Sequence, residues 1–298
     1  MNITLKQLSI FTTTARLSGI TKAAEALSLT QSAASQSLKE LENILGYPLF
    51  TRYGRRLVIN EHGQALLSKA TQMLALQAQI QQPITTKLQG ELKVAASVTI
   101  GSYVMPQLLA AFITKHPQVE PKLAISNSEQ VTDKLMAGQA HIGLIEAPLS
   151  HQSLKISPWR NDQLTVFCAS DHALASQGEL TLAQMSEQRW ILREYGSGTR
   201  TVFVNAMQQQ GRIISHSMDL ARQEAIKQAV KANLGLGVLS LLSIQQELTL
   251  GIFKVLTTPL NLNRQLSIIQ SEHYRYDPLV NAFYDFLQED EYSHRYDQ

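Results

Sequence analysis

The stretch from Gly19 to Gly46, GITKAAEALSLTQSAASQSLKELENILG, constrains this chain more than any other, because it reads as two short helices joined by a three-residue turn. Ile20, Ala23, Ala24 and Leu27 recur at i, i+3, i+4 and i+7, one apolar stripe, with Thr21 as the expected N-cap. Ser28-Leu29-Thr30 makes the turn. The second helix opens on Thr30 and turns Ala34, Leu38, Leu41 and Leu45 to one side. Ser32, Ser35, Gln36 and Lys39 form a separate stripe, small, polar and free of carboxylates.

A stripe of that kind suits the second helix of a helix-turn-helix, which lies in the major groove of DNA and offers side chains near its N-terminus to base edges. Thr30, Gln31, Ser32, Ser35, Gln36 and Lys39 are the candidates. Gln pairs bidentately with adenine, Ser donates or accepts, and Lys reaches guanine or phosphate. Next come two β-rich runs, Leu49 to Arg52 and Leu57 to Ile59, around a Tyr53-Gly54 turn. They read as a wing whose Arg52, Arg55 and Arg56 clamp phosphates. In residues 1–60 seven basic side chains (Lys6, Arg16, Lys22, Lys39, Arg52, Arg55, Arg56) stand against three acidic ones (Glu25, Glu40, Glu42), whereas the whole chain carries only +2. The basic excess is therefore local to the segment expected to meet DNA.

Residues 1–62 resemble the winged helix-turn-helix of LysR-type transcriptional regulators. The resemblance is carried by LKQLSIFTTTAR, AAEAL, TQSAASQSLKELE and LGYPLFTR, and it continues at lower density to the C-terminus. It implies a regulator of transcription bound to double-stranded DNA at an inverted-repeat operator, self-associated as a dimer or dimer of dimers, with RNA polymerase as a further partner. Many family members carry Arg where this chain has Gln36, so its base preference is expected to differ.

Asn60 is expected to cap a long helix running to the stop at Pro83. Leu66, Met73 and Ile80 lie seven apart on it. A helix of about 22 residues is about 33 Å long and outreaches a small winged domain, so this seam is read as a dimerisation surface. Residues 82–90, QPITTKLQG, read as a hinge.

From Glu91 the pattern becomes α/β. Strands are expected at ELKVAA, KLAIS, HIGLIE, QLTVFCA, WILRE, IISHSM, LGVLSL, GIFKVL and QLSIIQ. Helices are expected near 102–115, 128–137, 198–210, 222–233, 243–248 and 278–289. Strands alternating with helices predict a mostly parallel sheet. A strand–helix–strand–helix–strand pattern at 91–146 recurs at 190–240. The resemblance implies a two-lobed effector-binding domain, similar in architecture to periplasmic solute-binding proteins. The expected organisation is a DNA-binding domain at 1–60, a linker helix and hinge at 61–90, and an effector domain at 91–298. Lobe one takes about 91–160 plus 266–298, and lobe two about 161–265.

Ligands of open α/β sheets bind beyond the carboxyl ends of strands. Ser97-Val98-Thr99-Ile100-Gly101 follows the first strand, and Ser197-Gly198-Thr199 follows the WILRE strand; each enters a helix whose unpaired N–H groups can hold an anion. The expected ligand is a small-molecule effector, an anionic metabolite, cradled by these residues. Asn127, Ser128, Glu146 and Arg193 are further candidates for the lining. Glu146 does not suit an anion site, and it is expected either to pair with Arg193 or Arg200 or to cap an edge. The LIEAP, REYGSGTR and LGLGVLS runs are similar to the subgroup of the family linked to carbon fixation and sulfur metabolism.

Catalytic readings find little support. Tyr195 breaks a G-x-S-x-G frame around Ser197, and Gly196 with Gly198, like Gly235 with Gly237, supplies only two glycines of a dinucleotide fingerprint. The histidines are scattered, and Glu61-His62 has no second His at helical spacing, so neither metal nor cofactor is expected. The single Cys168 sits in an apolar run and reads as a buried, inert thiol. No run approaches the ~20 apolar residues of a membrane span, and the chain is read as cytoplasmic, with no membrane partner. The alternative reading is a cytoplasmic solute-binding or enzymatic α/β protein with an incidental helical N-domain.

Overall fold

A computed structural model of the chain describes residues 2–53, 56–81, 88–146, 151, 153–271, 274 and 277–289. The chain divides into two compact units. One is Met1–Lys87 with Met136–Gln139 and Glu272–Pro278; the other is Leu88–Leu135, Ala140–Ser271 and Leu279–Gln298.

The first unit begins with α1 (Leu5–Leu17), α2 (Ile20–Ala26) and α3 (Gln31–Leu45). Thr4 and Gln7 close a reciprocal capping box on α1. The N-cap of α2 is Gly19, with no side-chain bond, so Thr21 lies inside the first turn instead of capping it as expected. Thr30 does cap α3, its hydroxyl accepting from the Ala33 N–H at 3.2 Å. Leu8, Ile10, Phe11, Ala24, Ala34, Leu38 and Leu41 form the core, joined by Leu49, by Phe50 at the start of β1 (Phe50–Tyr53) and by Ala70. The wing is a hairpin of β1 with β2 (Arg56–Ile59), in which Arg52 stands opposite Leu57 and Tyr53 opposite Arg56. Gly54 and Arg55 lie outside the described residues.

Asn60 caps α4 (Glu61–Gln81): its Oδ1 accepts from the Gly63 N–H at 2.9 Å, while its amide donates to the Pro48 carbonyl at 2.9 Å. The structure redraws the expected seam. Leu66, Leu67 and Leu74 pack against the winged core, whereas Met73, Leu76 and Ile80 stay exposed. The exposed stripe is therefore Met73-Leu76-Ile80, at i, i+3 and i+7. Residues 82–87 of the expected hinge lie outside the described residues.

The second unit is built on a nine-stranded sheet. Its elements are β3 (Gln89–Ser97), α5 (Met105–Lys115), β4 (Gln118–Ser126), α6 (Ser128–Met136), β5 (Ile142–Ile145), β6 (Leu154–Ala169), α7 (Leu182–Glu187), β7 (Arg189–Arg193), α8 (Gly198–Gln209), β8 (His216–Leu220), α9 (Gln223–Lys231), β9 (Leu236–Ser240), α10 (Leu241–Thr249), β10 (Phe253–Leu256), β11 (Asn263–Ser271) and α11 (Pro278–Gln288). A π-helical turn, Ile100–Val104, leads into α5. The strand order is β4-β3-β5-β11-β6-β9-β7-β8, with β10 also on β6.

The expectation of a mostly parallel sheet needs correction. Pairing is parallel in β4-β3-β5 and in β9-β7-β8, but antiparallel wherever β6 or β11 takes part. The reason is connectivity. The chain leaves lobe one along β6 and returns along β11, so these two crossing strands run in opposite directions. Their pairing brings Asp162 opposite Arg264 near the crossing point. The expected QLTVFCA strand covers only the second half of β6, because Pro158, Arg160, Asn161 and Asp162 break the apolar pattern of the first. Cys168 is buried, and burial pushes its thiol up to about 11.

Candidate functional site

Two polar assemblies stand out, one in each unit. On α3, Thr30, Gln31, Ser32, Gln36 and Lys39 are exposed and Ser35 is half-buried. Local bonds order this surface. The Thr30 and Ser32 hydroxyls lie 3.2 Å apart, and the Gln36 amide donates to Glu40 Oε1 at 3.0 Å. The apolar stripe of α3 packs inward, with Ala34 and Leu41 fully buried, which leaves the polar stripe facing out.

The second assembly lies where the lobes of the α/β unit meet. Glu146, immediately after β5, is 2% exposed, and its partner Arg264 is equally enclosed. Its carboxylate collects four donors, two on each oxygen. Oε1 accepts from the Ser97 hydroxyl at 2.7 Å and the Thr99 backbone N–H at 2.8 Å. Oε2 accepts from Arg264 at 2.8 Å and the Thr199 hydroxyl at 3.2 Å. Ser97 and Thr99 belong to lobe one, Thr199 to the start of α8 in lobe two, and Arg264 to the crossing strand β11.

Arg264 is shared. Its Nε donates to Asp162 Oδ2 at 2.7 Å, and the Ser240 hydroxyl holds Asp162 Oδ1 at 2.7 Å. Arg264 also reaches the Thr199 hydroxyl at 3.0 Å and the Thr99 hydroxyl at 3.4 Å, the latter a further acceptor for Gln223 at 3.0 Å. Burial alone would push the Glu146 carboxyl up. Arg264, the Ser97 hydroxyl, the Thr99 N–H and the more distant Arg193 outweigh it and bring the group from an ordinary 4.5 to about 2.

The structure thus brings Ser97, Thr99 and Thr199 together around an anion, and that anion is the chain's own Glu146. The pairing expected for Glu146 is corrected. Arg193 makes a two-pronged pair with its neighbour Glu194 at 2.8 and 2.9 Å, and Arg200 binds Asp219 at 2.6 Å while lying over the Tyr195 ring. Arg264 takes the place foreseen for either. Nor is Glu146 an edge cap.

The remaining candidates hold the lobes and the backbone in place. Asn127 donates to Glu194 Oε1 at 3.3 Å and to the Tyr195 carbonyl at 3.4 Å, and the Glu129 N–H donates to the Gly196 carbonyl at 3.3 Å. Gly196, at φ +82°, permits this approach; a Cβ there would run into Glu129 and Asn127. The Ser128 hydroxyl accepts from the Glu146 N–H at 3.4 Å. Ser197 and Gly198 are buried at the start of α8, Ile100 is in the core, Gly101 gives Ile125 its room, and Val98 is half-buried.

Arg264, Asp162, Gln223 and Ser240 join the site without a place among the sequence-based candidates. One signal was available for Arg264. In NRQLSIIQS, residues 264, 266 and 268 share a face, and all three are buried, so period-two alternation alone turns this Arg inward.

Among the described residues no group of His, Cys, Asp and Glu could hold a metal ion, and no helix is long and apolar enough to cross a membrane.

Comparison with known proteins matches residues 5–64 to the bacterial regulatory helix-turn-helix protein model of the lysR family, and residues 85–291 to the LysR substrate binding domain. The uncharacterized HTH-type transcriptional regulator YeiE of Escherichia coli K12 is 36% identical over 287 residues, covering 96% of this chain and 97% of that protein. The RuBisCO operon transcriptional regulator of Allochromatium vinosum is 31% identical, covering 96% of each chain. CysL of Bacillus subtilis is 32% identical, covering 84% of this chain and 85% of CysL. A full-length OxyR variant of Pseudomonas aeruginosa shares the fold, with a TM-score of 0.78 at 21% identity over 97% of this chain and 94% of that one. The CcmR regulatory domain of Synechocystis PCC6803 in complex with 2-PG has a TM-score of 0.61 at 26% identity, over 67% of this chain and 96% of that one.

Proposed function

Because the chain belongs to the LysR family of transcriptional regulators, DNA-binding proteins that respond to small effectors and are not enzymes, we propose that its effector is a small anion held between the lobes of the α/β unit. One observation carries this reading. Donors from both lobes and from the strand that crosses between them converge on a single carboxylate position. A set that neutralises one buried negative charge is suited to an anionic ligand of similar size. The CcmR regulatory domain, which resembles this α/β unit, is in complex with 2-PG, which supports a small-molecule ligand for the unit.

In this reading α3 enters the major groove through Thr30, Gln31, Ser32, Ser35, Gln36 and Lys39, and Arg52, Arg55 and Arg56 of the wing meet phosphates. Residues 1–60 read DNA, 61–90 link and 91–298 sense. Met73, Leu76 and Ile80 of α4 pair two chains in the cytoplasm, so the operator is an inverted repeat and bound dimers present themselves to RNA polymerase. Effector binding acts to the extent that the anion prefers one lobe arrangement over another.

Calorimetric titration with sulfate, sulfite, phosphate and small carboxylates tests the anion. At least one should bind the wild type, and Thr99→Ala and Thr199→Ala should weaken it while leaving DNA affinity intact. Binding by none of them, or equal binding by both variants, defeats the anion reading. For assembly, Met73→Asp should dissociate the oligomer in sedimentation, and an unchanged oligomer with full operator affinity rules out the α4 stripe.

A further inference from the structure

An ionised carboxylate offers about four acceptor positions, and all four of Glu146 are filled, by Ser97, Thr99, Thr199 and Arg264. The converse holds for the donors. The Ser97 hydroxyl and Thr99 N–H are committed to Glu146, and Arg264 divides its remaining bonds among Asp162 and the Thr99 and Thr199 hydroxyls. An anion entering this place must therefore take donors that Glu146 now holds. Formal charge sharpens the conflict. Glu146 and Asp162 share one Arg264, while Arg193, the other nearby cation, is committed to Glu194. Two carboxylates and a third anion around one guanidinium in a buried site do not all stay ionised.

We propose that Glu146 is the specificity-determining residue of the effector site and makes binding a proton-linked exchange, in which the carboxylate gives up its donors only to an oxyanion that arrives together with one proton. This rests on the anion reading above and adds a class to it. The proton sits between ligand oxygen and Glu146, so that one donates an O–H to the other in place of two facing lone pairs. No covalent bond forms, and the complex holds one proton more than the Glu146 carboxylate and the dianion (hydrogenphosphate, sulfite or sulfate), brought by the ligand where it is already protonated and drawn from solvent where it is not. The groups facing Glu146 are Ser97 at the end of β3, Thr99 beyond it, Ser128 of α6, Thr199 of α8 and Arg264 of β11. Asp162 of β6 and Arg193 of β7 stand one step behind. Asp162 also touches the cradle, through Arg264, but Glu146 is the carboxylate that holds Ser97, Thr99 and Thr199 as well, so its change of charge is the one that releases them. Oxyanions basic enough to hold a proton near neutrality, such as phosphate and sulfite, are favoured; sulfate, of the same size and geometry as phosphate, is disfavoured.

The experiment is calorimetry on the intact chain with phosphate, sulfite and sulfate, in buffers of different ionisation heat, between about pH 6.5 and 8.5. Wild type should bind phosphate or sulfite with an affinity that falls about tenfold per pH unit at the alkaline end, and whatever sulfate binds should draw one proton from the buffer. Glu146→Gln should lose the pH slope and narrow the preference for phosphate or sulfite over sulfate, whereas Glu146→Asp should keep both. Sulfate binding without proton uptake overturns the proposal whether or not the variants fold. So does a Glu146→Gln protein that retains the wild-type slope. In both cases the anion reading survives; if wild type binds no anion at any pH, both fail.

Discussion

The polar face of α3 and the polar cluster around Glu146 use similar side chains in opposite settings. On α3 hydroxyls and amides sit in solvent with one local bond apiece at Gln36 and Ser32, and their partners lie two to four residues away. Around Glu146 every group is buried, and the bonds join residues 18 to 165 positions apart. Water satisfies the first set until DNA replaces it, so each member is individually dispensable to folding. In the second, each donor serves a buried acceptor that water cannot reach, and removing one leaves an acceptor position unfilled. A reading surface can vary freely; a buried charge network cannot.

The largest test of that contrast is Arg264→Ala, which leaves Glu146 and Asp162 buried without their cation. It should destabilise the α/β unit by about 3–5 kcal/mol, measured by chemical denaturation of the full chain. Lys39→Ala, an equal loss of charge on α3, should stay within about 0.5 kcal/mol. If the two variants unfold alike, the contrast is mistaken.

Acid provides a second test, and here the direction follows from Glu146. Its carboxyl is held at about 2 in the folded chain against an ordinary 4.5, so its contribution is fully present above about 4.5 and is lost as pH falls toward 2. The shift corresponds to a contribution on the order of 3 kcal/mol. Denaturation midpoints of the α/β unit should therefore drop through that window in wild type, and much less in Glu146→Gln. Parallel curves for the two proteins would show that Arg264 and its companions do not favour the ionised form.

On the DNA side, Gln36→Ala should reduce discrimination at one operator position by about 1–3 kcal/mol with little change in folding stability. Competition binding against operators altered one base pair at a time measures this. An unchanged preference at every position would remove Gln36 from base reading. The smallest effect is expected for Thr30→Ala, which deletes the N-cap bond to Ala33 and should cost about 1 kcal/mol of stability in the winged unit; thermal melts that coincide with wild type would show the cap to be replaceable.

The legible features were those whose cause lies within one turn or one strand. The α3 cap at Thr30, its buried and exposed stripes and the Asn60 cap of α4 all follow from neighbours in sequence. Where reading failed, a local signal was weak or absent. Gly19 caps α2 with no side chain to announce it. The short α7 is too brief for a periodic stripe, although Thr181 and Gln184 do form a capping box at its start. The polar half of β6 becomes strand because β11 pairs with it, a partner that no property of residues 154–162 reveals.

By itself the sequence determined that a helix pair with a bare polar face is followed by a wing, a long helix and two α/β lobes, because periodicity and caps act over a few residues. It also determined that hydroxyls stand at the start of a helix in each lobe. Tertiary structure alone decided what those hydroxyls hold. Glu146 meets Arg264, 118 residues away, rather than the nearer Arg193 or Arg200, because β5 lies beside the returning strand β11 in the sheet. A buried carboxylate must be neutralised by whichever cation the strand order delivers to it, and strand order is a property of the closed sheet, not of any segment within it.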